Sequence, residues 1–457
     1  MCGIVGIYNH PEAATLTYLG LYALQHRGQE GVGIASHDGK QTYVKKGDGL
    51  VADVFNQRDQ LQQLPGSLAI GHVRYSTHGG SSFANIQPLA FKHKDHQIAI
   101  VHNGNLVNLE PIRERLEANG ALFQTSSDTE YIVHLFAHSR AATFEERILD
   151  SFRQLHGAFS VIILFDDKMI VARDRHGYRP LCLGHLNGSL VFASETCALD
   201  LIGAQYERDV QPGEILIIAD GQIRQLQIAP PEPRHCIFEY VYFSRPDSRI
   251  FGEYVDKTRR KLGKTLALEH PVPNAEIVIA VPDSSNTTAL GYSRRSNARF
   301  EIGLIRNHYI GRTFIHPSQV LRDFSAKIKF NPIGGVLKDR SVVVVDDSIV
   351  RGTTLQQLVR MIREGEAREV HIRIGSPPVK YPCYFGMDFP STTELIANHY
   401  DLAALKEYFK VDSLAYLSVE GLLNSMPLPR EHFCTACFTG EYCEKVNCQK
   451  KPKESSR

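Results

Sequence analysis

Residues 342–354, VVVVDDSIVRGTT, constrain what this chain can fold into more than any other stretch. Four consecutive β-branched residues predict a strand covered on both faces, because a strand with one wet face would alternate. It stops at two adjacent carboxylates, Asp346 and Asp347. A small polar turn follows from Ser348 to Gly352, and a helical pattern begins at Thr353 and Thr354. A strand, a glycine turn and a helix N-terminus aim backbone N–H groups and a helix dipole at an anion. The carboxylates suit Mg2+ held through water, or the hydroxyls of a ribose. Anion donors beside acid acceptors fit a molecule that is both a phosphate and a polyol. A lone acid pair would be a solvated strand end; four apolar residues before it and SIVRGTT after it make it a motif.

With 457 residues there is room for two or three domains with cores of their own. Hydrophobic content of 43% and charged content of 22% are those of a soluble globular protein. A net charge of +1 gives no basic field for nucleic acid, and no apolar run is long enough for a membrane span. The N-terminus, MCGIVGIYNH, lacks the basic start of a signal peptide. Nine cysteines, an odd count, suit a reducing compartment better than a disulfide framework, so a cytoplasmic protein is expected.

The first half predicts strands at 3–8, 32–36, 69–75, 98–102, 159–165 and 170–173, with helices at 16–24, 108–119, 129–139 and 143–155. That is an α+β pattern with mostly antiparallel pairing. Within it, Cys2 stands out by position. A small residue after Met1 lets the initiator methionine be removed, which leaves cysteine first with a free α-amino group of pKa ~7.7–8.0. Such an amine takes the thiol proton without a histidine partner.

Five segments follow in order: CGIVGI at 2–7, QHRGQEG at 25–31, GHVRYST at 71–77, VHNGNL at 101–106 and SDTE at 127–130. Together they resemble the N-terminal-nucleophile glutamine amidotransferases, whose fold is an αββα sandwich. The resemblance implies that Cys2 attacks the side-chain amide of glutamine and forms a glutamyl thioester. It makes the Asn103 side chain and the Gly104 N–H the oxyanion hole. It also gives Arg74 the glutamine α-carboxylate, Asp128 the α-ammonium, and Gly28 and Thr77 further contacts. ARDRHGYRPL at 172–181 and FASETCALD at 192–200 extend the likeness. Arg175 replaces a usual proline there, which implies a changed loop with the chemistry kept. Cys182 and Cys197 sit among apolar residues and read as core thiols.

Proline-rich residues 227–235, QIAPPEPRH, divide a first domain, 2–228, from a second, 236–448; the tail 449–457 is expected to be disordered. The second domain alternates: helix 252–269, strand 277–281, helix 287–296, strand 300–305, strand 342–345, helix 353–365 and strand 370–375. Alternation predicts a parallel α/β sheet with ligands at the C-terminal ends of its strands. The 342–354 motif resembles the phosphoribosyl-pyrophosphate signature of the type I phosphoribosyltransferases. By that likeness Asp346 and Asp347 face the ribose and Mg2+, and Ser348, Val350, Arg351, Gly352, Thr353 and Thr354 hold the 5-phosphate. Asp283, in the PDSS loop at 282–285, would bind pyrophosphate, and Ser284 would contact the metal. Ser285 and Asn286 replace a usual glycine and its neighbour, and Leu355 replaces a small residue. The polar stretch 306–332, with Arg306, Arg322, Lys327 and Lys329, reads as a lid over an anionic ligand.

Cys236, Cys383 and the CTAC pair Cys434 and Cys437 are compatible with zinc, an iron–sulfur cluster or no metal. Their contexts, HCIFEYVYFSRPDS, YPCYFGMD and FCTACFTGEY, resemble those of the cluster-bearing amidophosphoribosyltransferases, implying that these four hold a [4Fe-4S] cluster. Cys443 and Cys448 are additional; with the CTAC pair they could form an alternative zinc set, or they are simply exposed.

Both halves in one chain resemble the amidophosphoribosyltransferases of the iron–sulfur type. That implies glutamine hydrolysis at Cys2, internal transfer of NH3, and displacement of pyrophosphate from 5-phosphoribosyl 1-pyrophosphate. The product would be 5-phosphoribosylamine, in the first committed step of de novo purine synthesis. Purine nucleotide inhibition and a homotetramer come with the resemblance. A glucosamine-type sugar-phosphate amidotransferase would lack residues 342–354. A silent paralogue that senses nucleotides has only the altered PDSS loop and Leu355 in its favour.

Overall fold

A computed structural model describes residues 1–75, 82–307, 329–389, 391–444 and 446. The strand Gly3–Tyr8 is buried along its whole length, because it is covered on both faces. Ile4 and Tyr8 point into one apolar layer, while Val5 and Ile7 point into another. This strand lies fourth in a seven-stranded sheet, between Ser189–Ala193 and Leu68–Arg74. A six-stranded sheet is built around the pair His96–Val107 and His156–Phe165. Every pairing in both sheets is antiparallel.

Ile4, Ile70, Val101, Ile162, Val171 and Phe192 fill the space between the sheets. Outside the first sheet lie the helices Ala13–Ala23 and Thr196–Ile202, which bury Leu21, Ala198 and Leu199. Outside the second lie Glu110–Ala118, Glu130–His138 and Phe144–Arg153, burying Leu116, Phe136 and Phe152. Two helical layers thus enclose two sheets, the αββα order that the resemblance to the N-terminal-nucleophile amidotransferases implies. Cys182 and Cys197 are buried within it, and burial pushes both thiols well up.

The second architecture is a parallel five-stranded sheet in the order Arg299–Phe300, Ile277–Ala280, Ser341–Asp346, Glu369–Ile374 and Ser413–Tyr416. All four valines of 342–345 are fully buried. Val343 and Val345 pack toward the side of Val255–Glu269 and Asn286–Ser296, and Val342 and Val344 toward that of Thr353–Glu364 and Leu402–Phe409. Helices on both faces explain why the strand needs no polar alternation.

Two expectations change. The helix anticipated from residue 252 starts at Val255, because Glu253–Tyr254 pairs with Arg249–Ile250 and Gly252 turns at φ +86°. The strand anticipated over 300–305 is broken: Arg299–Phe300 ends the parallel sheet, and Leu304–Arg306 pairs instead with Phe330–Pro332. That short antiparallel pair is the stem of the expected lid. Residues 308–328 of the lid, with Arg322 and Lys327, lie outside the described residues, as do Thr77, Cys448 and the tail. Among the described residues no helix is long and apolar enough to cross a membrane.

Candidate active site

Cys2 precedes the strand Gly3–Tyr8 directly and is buried. Its thiol donates to the Tyr75 carbonyl at 3.6 Å, and its backbone N–H donates to Asn103 Oδ1 at 3.2 Å. Asn103 comes from the long strand His96–Val107 of the other sheet, so the site sits where the two sheets meet. The other end of that amide, Nδ2, is buried with no hydrogen-bond partner among the described residues. An unmatched buried donor costs about 1–3 kcal/mol, and one beside a nucleophile is able to receive charge that develops on a substrate. Gly104 follows Asn103 on the same strand.

Of the residues expected to bind glutamine, Arg74, Gly28 and Asp128 converge on the same end of the sandwich. Arg74 closes the strand Leu68–Arg74, is buried, and donates to the Ser82 carbonyl at 3.2 Å. Gly28 packs against Arg74 so tightly that a Cβ there would lie 2.5 Å from the Arg74 carbonyl carbon. Only glycine permits that approach, which gives QHRGQ its glycine a physical reason. Asp128 is buried, accepts from the Leu106 N–H at 2.8 Å, and lies 3.6 Å from His102.

The acid pair ends the central strand Ser341–Asp346. Ser284 Oγ donates to Asp347 at 2.5 Å, Ser285 Oγ to Asp346 at 3.2 Å, and Ser348 Oγ to Asp347 at 2.7 Å. Burial and then the Asp347 charge push the Asp346 carboxyl well above the ordinary range; burial raises Asp347 against the pull of Ser284 and Ser348. Two adjacent carboxyls disfavoured as anions form a donor set that a divalent cation would relieve, so these residues fit Mg2+. Ser285, standing where glycine is usual, has φ −93° and ψ −2°, an ordinary helical conformation. No glycine is needed there. The serine adds a hydrogen bond to the acid pair instead, and the neighbouring Pro282–Asp283 peptide is cis.

Gly352 has φ +79° at the N-terminus of Thr353–Glu364, and a Cβ on it would meet Ile396 Cδ1 at 2.6 Å. No side chain caps that helix, so its first N–H groups face the turn with Thr353 and Thr354 exposed beside them. Arg351 is drawn outward to Glu394 at 2.9 Å. Leu355 is core, 3% exposed against Leu358 and Phe409, so its size reflects packing and not a lost site. Arg306 bonds Asp283 at 2.8 Å, and the Lys329 carbonyl accepts from the Asn307 N–H at 2.8 Å, which extends the pairing of Leu304–Arg306 with Phe330–Pro332.

The four cysteines come to one wall from distant segments. His235–Cys236 pairs in parallel with Phe433–Cys434, placing Cys236 opposite Cys434. The Cys437 carbonyl accepts from the N–H groups of Lys380 and Tyr381, three and two residues before Cys383. Burial raises the Cys236 and Cys437 thiols, and each of them is raised further by Cys383. Among the described residues no three His, Cys, Asp or Glu side chains are grouped as a single metal ion requires, and no cysteine is in a disulfide. An all-thiol set spread over one wall has the donor chemistry of a cluster. The Cys383 segment also meets the first site: Asn105 Nδ2 donates to the Tyr384 carbonyl at 2.9 Å, and Phe385 stacks on Tyr178 at 4.4 Å.

Sequence reasoning missed the buried charges at this junction. Arg27, Arg179, Glu195 and Glu239 are fully inaccessible and joined in one ion network. The available signal was a glutamate inside CIFEYVYF, a charge that only a buried partner could satisfy.

Comparison with known proteins places this geometry. The glutamine amidotransferase domain family matches residues 72–201. Amidophosphoribosyltransferase 2, chloroplastic, of Arabidopsis thaliana is 51% identical over 444 residues, covering 96% of this chain and 79% of that protein. This chain belongs to the amidophosphoribosyltransferases. Two solved structures agree over the whole fold. One, of an allosteric regulatory enzyme of purine biosynthesis, superposes with a TM-score of 0.93 at 45% identity, covering 98% of this chain and 97% of that one. The other, the Bacillus subtilis glutamine phosphoribosylpyrophosphate amidotransferase complexed with ADP and GMP, gives 0.92 at 44%, covering 98% of each. An amidophosphoribosyltransferase is a glycosyltransferase with a built-in glutamine amidotransferase, which accounts for the two architectures in one chain.

Proposed function

We propose that the chain makes 5-phosphoribosylamine from glutamine and 5-phosphoribosyl 1-pyrophosphate, with the two half-reactions divided between its two sites. The observation that carries this is the Asn103 donor beside Cys2, unpartnered among the described residues, in the same chain as an acid pair at the C-terminal end of a parallel sheet. Once Met1 is removed, the Cys2 amine takes the thiol proton and Sγ attacks the glutamine amide carbon. Charge moves to the amide oxygen, where Asn103 Nδ2 and the Gly104 N–H receive it. Arg74 and Asp128 hold the two ends of the amino acid, with Gly28 and Thr77 beside them. The Cys2 amine passes that proton to the amide nitrogen, the C–N bond breaks and NH3 leaves, and water then releases glutamate from the thioester.

Free ammonia in water is mostly ammonium, which has no lone pair to attack with. Passing NH3 internally keeps it reactive. At the second site Asp346 and Asp347 accept from the ribose hydroxyls. The turn 348–352 and the N–H groups at Thr353 and Thr354 hold the 5-phosphate, and Asp283 lies beside the pyrophosphate. The C1–O bond breaks ahead of bonding to the nucleophile, as in glycosyl transfer generally; pyrophosphate leaves with the electron pair, and NH3 adds to that carbon and gives up a proton. Asp346 and Asp347, with Ser284 alongside, are the residues that would hold Mg2+, which when bound would neutralise the departing pyrophosphate. Cys236, Cys383, Cys434 and Cys437 would hold a [4Fe-4S] cluster whose contribution is a staple between segments far apart in sequence. Purine nucleotides, as in the Bacillus complex, would compete at the anion sites near Arg306 and Lys329. A cytoplasmic homotetramer completes the reading.

The test is glutamate release from glutamine and Mg2+ by anaerobically purified protein, with and without phosphoribosyl pyrophosphate. Strong stimulation accompanied by stoichiometric pyrophosphate is expected. Glutamate release that ignores phosphoribosyl pyrophosphate would defeat the two-site account.

A further inference from the structure

The ion network at the junction touches the nucleophile on one side and the pyrophosphate loop on the other. Arg27 Nε donates to the Cys2 carbonyl at 2.9 Å. Its Nη1 reaches Glu195 at 2.5 Å, and Nη1 and Nη2 grip Glu239 at 3.1 and 2.8 Å. Glu239 lies in Glu239–Phe243, just past Cys236, and accepts from Ser244 Oγ at 2.6 Å. The Ser244 carbonyl accepts from Arg259 Nη2 at 2.8 Å, and Arg259 Nη1 reaches the Ser284 carbonyl at 3.4 Å. Ser284 Oγ in turn donates to Asp347. Arg27, Glu195, Glu239, Ser244 and Arg259 are each at most 1% exposed.

Building on the two-site reading above, we propose that Arg27 is a positioning residue for Cys2. We propose further that the buried chain Arg27–Glu239–Ser244–Arg259–Ser284 reports occupancy of the ribosyl site to the nucleophile. Burying several charges is costly, and apolar residues of similar size would hold a junction as well. What apolar packing lacks is direction. The planar guanidinium of Arg27 is fixed by two carboxylates, so a displacement of Glu239 is passed to the Cys2 carbonyl without slack. At the other end, a substrate that engages Asp347 competes for the carboxylate that Ser284 now holds. Release of Ser284 shifts the loop whose carbonyl Arg259 grips. Glu195 anchors the first-half side of the fork, accepting from the Arg245 N–H at 2.9 Å and Ser248 Oγ at 2.7 Å.

Ser244→Ala removes one link and touches neither substrate. The measured quantity is the ratio of glutamine hydrolysis with phosphoribosyl pyrophosphate to that without it, with ammonia-dependent synthesis and thermal melting as controls. The variant is expected to lower that ratio about three- to ten-fold, leaving unstimulated hydrolysis and ammonia-dependent synthesis within about two-fold of wild type. Arg27→Lys cannot bridge both carboxylates and the Cys2 carbonyl. It is expected to lower kcat for glutamine hydrolysis about ten-fold or more, with KM for glutamine within about two-fold. A merely structural arginine would instead lower melting temperature and depress both activities together. If wild type is stimulated and a folded Ser244→Ala is stimulated equally, the relay is wrong while the two-site reading stands. If wild type itself is not stimulated, both fall.

Discussion

Replacing Asn103 with alanine tests the first site at its most specific feature. The Asn103 Nδ2 group is buried without a partner among the described residues, and its Oδ1 holds the Cys2 N–H at 3.2 Å. Removing one oxyanion donor costs about 2.7–4 kcal/mol in the transition state, which at ~1.36 kcal/mol per decade is a loss of about 10²–10³ in kcat. Loss of the Oδ1 anchor adds some misplacement of Cys2, so the upper part of that range is expected. Asn103→Asp separates the two roles: it keeps an acceptor for the Cys2 N–H but offers no donor at neutral pH. It should be at least as impaired as the alanine variant. The assay is glutamate release at saturating glutamine, beside ammonia-dependent phosphoribosylamine formation and the rate of Cys2 alkylation by iodoacetamide. Ammonia-dependent synthesis should stay within about two-fold, and alkylation should change little, because neither builds charge at the oxyanion position. An alanine variant that keeps more than about a tenth of the wild-type kcat would refute the oxyanion assignment. So would a parallel fall in the ammonia-dependent rate.

Cys2→Ala should abolish glutamine use while high ammonia still supports product formation, because only the first site is damaged; equal loss of both rates would contradict the separation of sites. Protein purified without oxygen should be brown with about four irons per chain by elemental analysis. A colourless, zinc-containing product would end the cluster assignment. Leu355→Ala should destabilise the protein by about 2–5 kcal/mol in denaturant titration, since the side chain is 3% exposed in the core, and should leave the KM for phosphoribosyl pyrophosphate nearly unchanged. A large KM change at unaltered stability would return Leu355 to the binding site.

Much of this architecture is legible because its central strands are buried on both faces. VVVVD and GIVGIY need no tertiary information to be read as strands. The edge strands carry no such signal. Thr42–Asp48 is half-exposed with three charges, and Gln222–Gln227 is almost wholly exposed, so both depend on a neighbour for their identity. The break between Phe300 and Leu304 was hidden for a related reason. Pairing with Phe330–Pro332 takes Leu304–Arg306 away from the parallel sheet, a competition between partners that local pattern does not record. At the sites, the motifs single out Cys2, Asn103 and the acid pair by residue type and order. The roles of Ser285 as a donor to Asp346 and of Arg27 as a ligand of the Cys2 carbonyl depend on contacts across 61 and 25 residues. No spacing rule predicts those.

The position of the cysteine wall carries a further consequence for how the two halves depend on each other. The strand bearing Asn103 and Gly104 continues into Asn105, whose side chain is held by the Tyr384 carbonyl, one residue past Cys383. Arg179, from the first half, donates to the Phe385 carbonyl and lies 3.5 Å from Glu239. The glutaminase strand therefore leans on the segment that the thiols would tie down. The acid pair, by contrast, is held by Ser284, Ser285 and Ser348, which belong to the parallel sheet's own loops. Disturbing the cysteine wall should then reach Asn103 before it reaches Asp346. A Cys383→Ser protein that remains folded is expected to lose glutamine-dependent activity at a milder denaturant concentration than ammonia-dependent activity. Loss of both at the same concentration would show that the wall supports the molecule as a whole and not the oxyanion strand in particular.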